Sequence, residues 1–199
     1  MSPRNEEQNA LIKDERREQI LSAALHLFAS RGFAATKISD IVTKANMSQG
    51  LAYHYFNSKE EIFYALLERA MDTSSQSLLM VEKMSLGPLE KVRQTARYIL
   101  NGIENFNDSA YYFLIVVHAS IMESEDDRRE KLLSKGNIAI QAMTGFIREG
   151  QTAGEIKEGD PLEMTVTFFA AIQGLAVYKL SMKDFKMPDP EIIVNMIRK

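Results

Sequence analysis

The chain has 199 residues, which is enough for one mid-sized core or for a small domain joined to a larger one. Hydrophobic residues make up 45% of it and charged residues 26%, as is typical of a soluble globular protein. Cysteine is absent, which excludes disulfides, thiolate catalysis and cysteine metal sites. His26, His54 and His118 are far apart in sequence and none has a HExxH-type neighbour, so a zinc site is not expected, and no cofactor is assigned.

The formal net charge of −3 is unevenly distributed along the chain. Between Phe28 and Lys59, four cations and a single acid give a local charge of +3, so the remaining residues carry −6 and the two parts sum to −3. A basic patch on an acidic body suits a module that touches phosphate with one surface only.

No basic segment followed by an apolar run opens the sequence, so we expect no signal peptide. Two apolar stretches without a formal charge cover residues 109–122 and 164–178, and both are shorter than the roughly 20 residues that a bilayer-spanning helix needs. We therefore predict a cytoplasmic protein without a membrane partner.

Almost every segment has the apolar periodicity of an amphipathic helix. Residues 1–10 are polar and contain Pro3, which predicts a mobile tail. The first helix is expected over residues 11–30, with Gly32 as its C-cap. Thr36 is predicted to cap a short second helix over residues 37–44.

Serine residues mark the next two helix starts. Ser48 caps a third short helix over residues 49–56, and Asn46 in the preceding turn tolerates a left-handed backbone. Ser58 and Glu61 form a capping box that begins a fourth helix ending near Met84. Later helices are predicted over residues 88–105, 110–122, 125–151 and 162–182, with a short terminal one after Pro190.

Two short helices joined by a turn of about three to four residues form a helix-turn-helix, whose second helix can lie in the DNA major groove. On that helix, Gln49 can pair with adenine and Leu51 can touch a thymine methyl group. Lys59, at the start of the fourth helix, offers its charge and free backbone N–H groups to phosphate. On the helix over residues 49–56, the residues that would face DNA are Gln49, Gly50, Leu51, Tyr53, His54 and Tyr55.

The stretch from Thr36 to Ile62, TKISDIVTKANMSQGLAYHYFNSKEEI, resembles the signature of the TetR (tetracycline repressor) family. Ala24, Phe28 and Gly32-Phe33 are similar to the family's first helix and turn, so the resemblance covers about residues 20–67. It implies a dimer in which the last two long helices form a four-helix interface. It also implies phosphate binding by Thr36, Lys37, Tyr55 and Lys59, base contacts by Gln49, Gly50, Leu51 and Tyr53, and a capping and backbone role for Ser48.

The sequence departs from the family pattern at three places. Asn46-Met47 replaces a common Gly-Val pair, and Ala52 replaces a leucine at a position expected to point inward. The small side chain of Ala52 either loosens the local packing or is compensated by Met47. A basic residue is common where this chain has Gln49, so the family does not predict the operator sequence.

Aromatic and methionine side chains recur after about residue 72. They indicate either ordinary core packing or an apolar cavity between helices with a few polar groups aimed inward. Polar His118 and Gln173 stand within apolar runs, and a buried, internally bonded histidine is the alternative to a ligand contact. Under the cavity hypothesis, a small apolar or aromatic effector would contact Tyr98, Phe106, Tyr112, Phe113, His118, Met122, Met143, Phe146, Phe168 and Gln173.

The helix predicted to begin at Leu162 has apolar or small residues on nearly all sides, so it must be buried on two sides. A two-fold dimer would bury one of them, whereas the alternative is a central core helix in a monomer. The stripe assigned to the dimer interface is Leu162, Val166, Phe169, Gln173, Ala176 and Leu180.

Together these patterns predict an all-α protein with a helix-turn-helix DNA-binding domain at residues 11–57 and a helical ligand-binding and dimerisation bundle at residues 58–199. Its predicted function is ligand-responsive transcriptional regulation. It would be a repressor that binds a palindromic double-stranded DNA operator as a homodimer and is released by an effector. An enzyme is not expected and no catalytic residue is assigned, because the sequence has no nucleophile elbow, glycine-rich phosphate loop or paired Glu-x-x-His motif. The alternative is a helical partner- or ligand-binding protein without operator binding.

Overall fold

The computed structural model describes residues 3–106, 108–123 and 126–199, with side chains from Gln8 onward. Those residues form ten α-helices, which confirms the predicted all-α class. The helices are α1 (Pro3–Arg31), α2 (Ile38–Lys44), α3 (Gln49–Tyr55), α4 (Lys59–Glu82), α5 (Pro88–Asn105), α6 (Ser109–Ile121), α7 (Asp127–Lys135), α8 (Asn137–Thr152), α9 (Pro161–Ser181) and α10 (Pro190–Val194).

Two hydrophobic clusters form the interior. The N-terminal core cluster joins α1, α2, α3 and the first half of α4 to α6 and α7, and it includes Phe28, Phe63 and Ile115. The C-terminal core cluster joins the end of α4 to α5, α8, α9 and α10, and it includes Phe146 and Phe168. Each fully buried side chain of this size contributes about 1.5–3 kcal/mol. Because α4 supplies residues to both clusters, it connects the two halves of the chain.

Local backbone preferences place the three N-terminal helices. Gly32 ends α1 with a φ of 81°, a left-handed conformation that glycine adopts without strain. Asn46, in the turn between α2 and α3, has a φ of 54°, which the choice of asparagine there predicts. The Ser48 hydroxyl accepts a hydrogen bond from the Leu51 N–H at 3.3 Å, so Ser48 caps α3 as predicted.

Two other helix caps differ from the prediction. The cap of α2 is Lys37 rather than Thr36, and its backbone N–H donates to the Asp40 carboxylate at 3.1 Å. At α4, Ser58 accepts from the Glu61 N–H as expected, but the Glu61 carboxylate accepts from the Asn57 N–H at 2.7 Å instead of reaching Ser58. In both cases an acid near the helix start satisfies an N–H that the helix cannot.

The N-terminal helix is longer than predicted. It begins at Pro3, so residues 3–10, which the composition assigns to a mobile tail, are helical, while Met1 and Ser2 lie outside the described residues. Proline suits the first turn of a helix because its missing N–H needs no partner there. The Glu, Gln, Ala and Leu residues that follow favour helix continuation.

The segment expected as one helix over residues 125–151 forms two, α7 and α8, which meet at Gly136; residue 125 itself lies outside the described residues. A Cβ at Gly136 would stand 3.1 Å from the Leu133 carbonyl oxygen and 3.1 Å from Met71 Sδ. The close approach of α4 therefore favours a residue without a side chain at the point where α7 and α8 meet.

Gly150, near the end of α8, packs against the buried side chain of Ile156. A Cβ there would lie 2.5 Å from Ile156 Cδ1 and 2.8 Å from its Cγ1. We expect Gly150→Ala to lower the free energy of unfolding by about 1–3 kcal/mol, measured by chemical denaturation, because the added methyl group overpacks the core. Gly102→Ala is the control, since a Cβ at Gly102 would meet no described atom within 4 Å. Equal stability of the two variants would contradict the packing argument.

Candidate nucleic-acid interface

Helix α3 turns one face into the protein and the other to solvent. Ala52 and Phe56 are each 3% exposed and belong to the N-terminal core cluster. Tyr53 is 47% exposed and Leu51 is 36% exposed, so two large side chains stand free on a short, well-anchored helix. The accessible residues of this helix are Gln49, Gly50, Leu51, Tyr53 and His54, which are also predicted DNA contacts.

The small residues of α3 have different roles. Ala52 is buried, and Met47 packs against the same cluster, as expected if Met47 compensates for the missing leucine. Gly50 lies in open space, because a Cβ there would meet no atom of the described residues within 4 Å. A close approach that requires glycine at position 50 would therefore involve a bound molecule rather than this part of the chain.

Exposed cations flank the helix-turn-helix. Arg31, Lys37 and Lys44 are all solvent-exposed. Among the side chains that the structure describes, in residues 8–106, 108–123 and 126–199, none of the three forms an ion pair, so their charges are available to an anionic partner. Tyr55 is half-buried and its ring meets that of His54 edge-on at 5.4 Å between centroids.

The structure corrects the assignment of Thr36 to phosphate binding. Its side chain is 0% exposed, and its hydroxyl donates to the Gly32 carbonyl at 2.8 Å and lies 3.4 Å from the Leu27 carbonyl. Thr36 thus holds the turn after α1 from inside. Threonine is common both on DNA-binding surfaces and in buried turns, and the sequence alone does not distinguish the two.

Lys59 also has partners inside the protein. Its ammonium donates to the carbonyl oxygens of Phe33 and Thr36, both at 2.9 Å. It lies 4.2 Å from the centroid of the Phe33 ring, within the range of a cation–π contact. The predicted phosphate ligand is therefore engaged in the turn between α1 and α2.

A polar seam between α1, α4 and α6 was not predicted from the sequence. Arg69 on α4 donates to both carboxylate oxygens of Glu18 on α1, at 2.7 and 2.6 Å, and also contacts Tyr112 on α6. This hydrogen bonding holds the pKa of Glu18 below its usual value, whereas burial raises the pKa of Tyr112. His26 Nε2 lies 2.9 Å from Asp108 Oδ1 beside the start of α6. Helix α1 is thus tied to α4 and to the start of α6 by charged as well as apolar contacts.

The predicted effector-binding residues do not converge on one site. Tyr98 is 46% exposed and Phe106 is 68% exposed, so the interior position predicted for them is wrong. The helical phase of α5 places Tyr98 on the outer side, and Phe106 follows the end of that helix. His118 is half-buried, and its Nδ1 has neither solvent contact nor a hydrogen-bond partner among the described residues. Met143, Phe146 and Phe168 lie in the C-terminal core cluster, whereas Tyr112, Phe113, Met122 and Gln173 are half-buried.

A surface cleft of about 480 Å³ lies away from these residues. It is lined by the start of α5, the loop after α8 and the last residues of the chain, including Leu89, Arg93, Glu155 and Arg198. Its described lining includes none of the predicted effector contacts.

Helix α9 exposes an apolar face, as the dimer hypothesis requires. Leu162 is 51% exposed and Val166 is 54% exposed, while Phe169, Gln173 and Leu180 are half-buried. Ala176 is 0% exposed and belongs to the C-terminal core cluster, so its assignment to the interface is wrong. Val177, which is 46% exposed, takes the place of Ala176 in the exposed stripe. The outer face of the helix is thus shifted by about one residue from the predicted face.

The same helix is long and apolar enough, by length and composition alone, to cross a membrane. Its uncharged run is shorter than the helix itself, which is why a membrane span was not expected from the sequence. The inner side of α9 packs against α5, α6 and α8. Packing in the core therefore explains the apolar residues on the inner side of α9, whereas those on its outer face are exposed to solvent.

A serine-capped helix with an exposed polar and aromatic face, beside exposed cations and on a helical bundle, defines a helix-turn-helix DNA-binding transcriptional regulator. Residues 20–66 match the sequence profile described as "Bacterial regulatory proteins, tetR family". The chain belongs to the TetR family of ligand-responsive transcriptional regulators.

The similarity to known proteins extends over most of the chain. The transcriptional activator FasR of Mycolicibacterium smegmatis is 30% identical over 143 residues, which are 72% of this chain and 62% of FasR. The MbdR regulator from Azoarcus sp. CIB has a similar structure, with a TM-score of 0.76 at 20% identity over 91% of this chain and 96% of MbdR. AibR, crystallised with isovaleryl coenzyme A and operator DNA, has a TM-score of 0.72 at 18% identity over 91% of this chain and 95% of AibR. The two structural likenesses establish the fold.

Proposed function

We propose that this protein is a repressor that binds a palindromic operator as a homodimer and leaves it when a small apolar or aromatic effector binds the C-terminal bundle. The observation that carries the proposal is the exposed face of α3, anchored from behind by Ala52 and Phe56 and flanked by the exposed cations of the helix-turn-helix. A short, well-anchored helix with this polar and aromatic surface fits the major groove.

In this proposal the exposed side chains divide into two groups. Gln49, Leu51 and Tyr53 would meet base edges, where an amide pairs with adenine and an apolar group meets a thymine methyl. Lys37 and Tyr55 would contact phosphate, with Ser48 near the backbone and His54 at the rim. AibR, which has the same fold, is crystallised with operator DNA, and that supports this use of the surface.

Dimerisation through α9 would set the distance between the two α3 helices. Leu162, Val166 and Val177 form an exposed apolar stripe. In a two-fold dimer the same stripe of a second copy would bury it. Two recognition helices about one DNA turn apart would then read a palindrome. If this protein instead sedimented with lipid vesicles through α9, that result would contradict dimerisation through the α9 face.

An effector would act by changing that spacing. The bundle that holds Phe146 and Phe168 is joined to the DNA-binding helices by α4 and by the polar seam. His118 Nδ1, buried without a partner in the described part of the chain, would be a polar contact for such an effector. A coupling of about 1–3 kcal/mol between the two sites is typical and would suffice to weaken operator binding.

The direct test selects bound fragments from the source genome and measures affinity for the recovered site at several salt concentrations. Tyr53→Ala is expected to remove discrimination between that site and unrelated DNA. Lys37→Ala is expected to weaken binding to every DNA sequence. It should also make the plot of log affinity against log salt concentration shallower by about 0.9 for each phosphate that is no longer neutralised. In a dimer two phosphates would lose their lysine. If no fragment is enriched and affinity does not depend on salt, the chain is instead a helical partner-binding protein. Transcription in vitro from the recovered site should fall as the protein is added, and a rise would identify an activator.

A further inference from the structure

The strongest unassigned feature is the position of the Lys59 side chain. Lys59 opens α4, but its ammonium reaches back to the turn between α1 and α2, where it donates to the Phe33 and Thr36 carbonyl oxygens at 2.9 Å each. Its third side faces the Phe33 ring at 4.2 Å. An ammonium has three N–H donors, and here two of them are used by carbonyl oxygens while the ring of Phe33 lies beside the charge.

The turn over residues 32–37 depends on such side chains because it makes few backbone hydrogen bonds of its own. Its backbone bonds include those from the Gly32 N–H to Phe28 and from the Thr36 N–H to Phe33. The Thr36 hydroxyl holds the turn from within, and Lys59 holds it from α4. Hydrogen bonds with a charged donor are roughly twice as strong as neutral ones, so Lys59 is a principal restraint on this turn.

Phe33 extends the same contact into the core. Its ring packs against Phe63 on α4 at 5.1 Å and against Phe28 on α1 at 5.6 Å between centroids. Lys59 covers the Phe33 ring on another side. The end of α1, the entry to α2 and the start of α4 are therefore joined at one point, and the orientation of α2 fixes that of α3.

We propose that Lys59 is a positioning residue, which orients the helix-turn-helix on α4 through the turn between α1 and α2 and does not neutralise a DNA phosphate. The inference rests on the proposed operator binding. An ammonium that moved out to a phosphate would leave two carbonyl oxygens of the turn without their donor, which opposes the move. Lys37 differs, because its side chain is exposed and forms no ion pair among the described residues.

The salt dependence of operator binding separates the two roles. Lys59→Met keeps the apolar stem and removes the charge, and we expect about a tenfold loss of operator affinity with the wild-type salt slope. The matched variant Lys37→Met should reduce the slope. Lys59→Arg should restore most of the affinity, because a guanidinium can also donate to two carbonyls. A Lys59→Met slope reduced as much as that of Lys37→Met would overturn the proposal.

A second measurement needs no DNA. Amide hydrogen exchange of the free protein is expected to become faster at Ala34 to Lys37 in Lys59→Met, with exchange in α9 unchanged. Unchanged exchange in the turn would overturn the positioning role even if affinity fell. If wild-type protein shows no salt-dependent operator binding, the proposed function fails and the role in DNA binding fails with it, whereas the exchange result still reports whether Lys59 restrains the turn.

Discussion

Val166→Glu is expected to convert the protein from a dimer to a monomer and to lower its operator affinity by roughly 100-fold or more. Val166 is 54% exposed on the apolar face of α9. In a two-fold interface the new carboxylate would be buried near its own symmetry mate, without a compensating cation. Separating the two halves of a bivalent DNA-binding protein removes an avidity of about 10²–10⁴. Sedimentation equilibrium and DNA titration measure the two effects.

The control for this variant is Ile192→Glu. Ile192 is 61% exposed on α10, which packs on α5, so the same charge enters an equally accessible apolar site outside the proposed interface. We expect Ile192→Glu to remain dimeric and to bind the operator like wild type. A dimeric Val166→Glu, or a wild-type protein that is a monomer at micromolar concentration, would show that the α9 face has another occupant.

Phe63→Ala is expected to lower the free energy of unfolding by about 3–5 kcal/mol, as for other large-to-small changes in a core. Phe63 is 0% exposed, and its ring meets those of Phe28, Phe33 and Tyr64 at 5.5, 5.1 and 6.1 Å. Removing it opens a cavity where α1 and α4 meet and takes away three edge-on aromatic contacts.

Urea denaturation followed by circular dichroism would measure this destabilisation. The control is Tyr98→Ala, because Tyr98 is 46% exposed and its removal should change stability by less than about 0.5 kcal/mol. If Phe63→Ala is no less stable than Tyr98→Ala, the aromatic cluster does not hold the DNA-binding helices to α4.

Local signals predicted the N-terminal helices well. Ser48 and Ser58 cap helices as expected, and Asn46 adopts the left-handed conformation that its position indicates. These features depend on residues within one turn of each other, so a single sequence is enough to identify them. The exposed set on α3 follows for the same reason, because two buried positions four residues apart fix its phase.

Features set by distant parts of the chain could not be predicted in this way. The hydrogen bonds from Lys59 to Phe33 and from Arg69 to Glu18 join residues that are 26 and 51 positions apart. The phase of α9 was predicted wrongly at Ala176 because a helix that is apolar on all sides carries no pattern to distinguish core from interface. The close contact between Gly136 and Met71, where α7 and α8 meet, joins residues 65 positions apart, and no local pattern reveals it.

The N-terminal core cluster also bears on how this regulator could be re-engineered. It includes Ile115 and Ala119 from α6 and Leu132 from α7, so its packing crosses the boundary predicted between residues 57 and 58. A chimera that exchanged the DNA-reading segment at that boundary would join a foreign α1 to the native α6, with a mismatched surface and without the Glu18–Arg69 pair. Altering operator specificity by replacing only the exposed residues of α3 would leave this junction intact, because Ala52 and Phe56 would keep their places in the N-terminal core cluster.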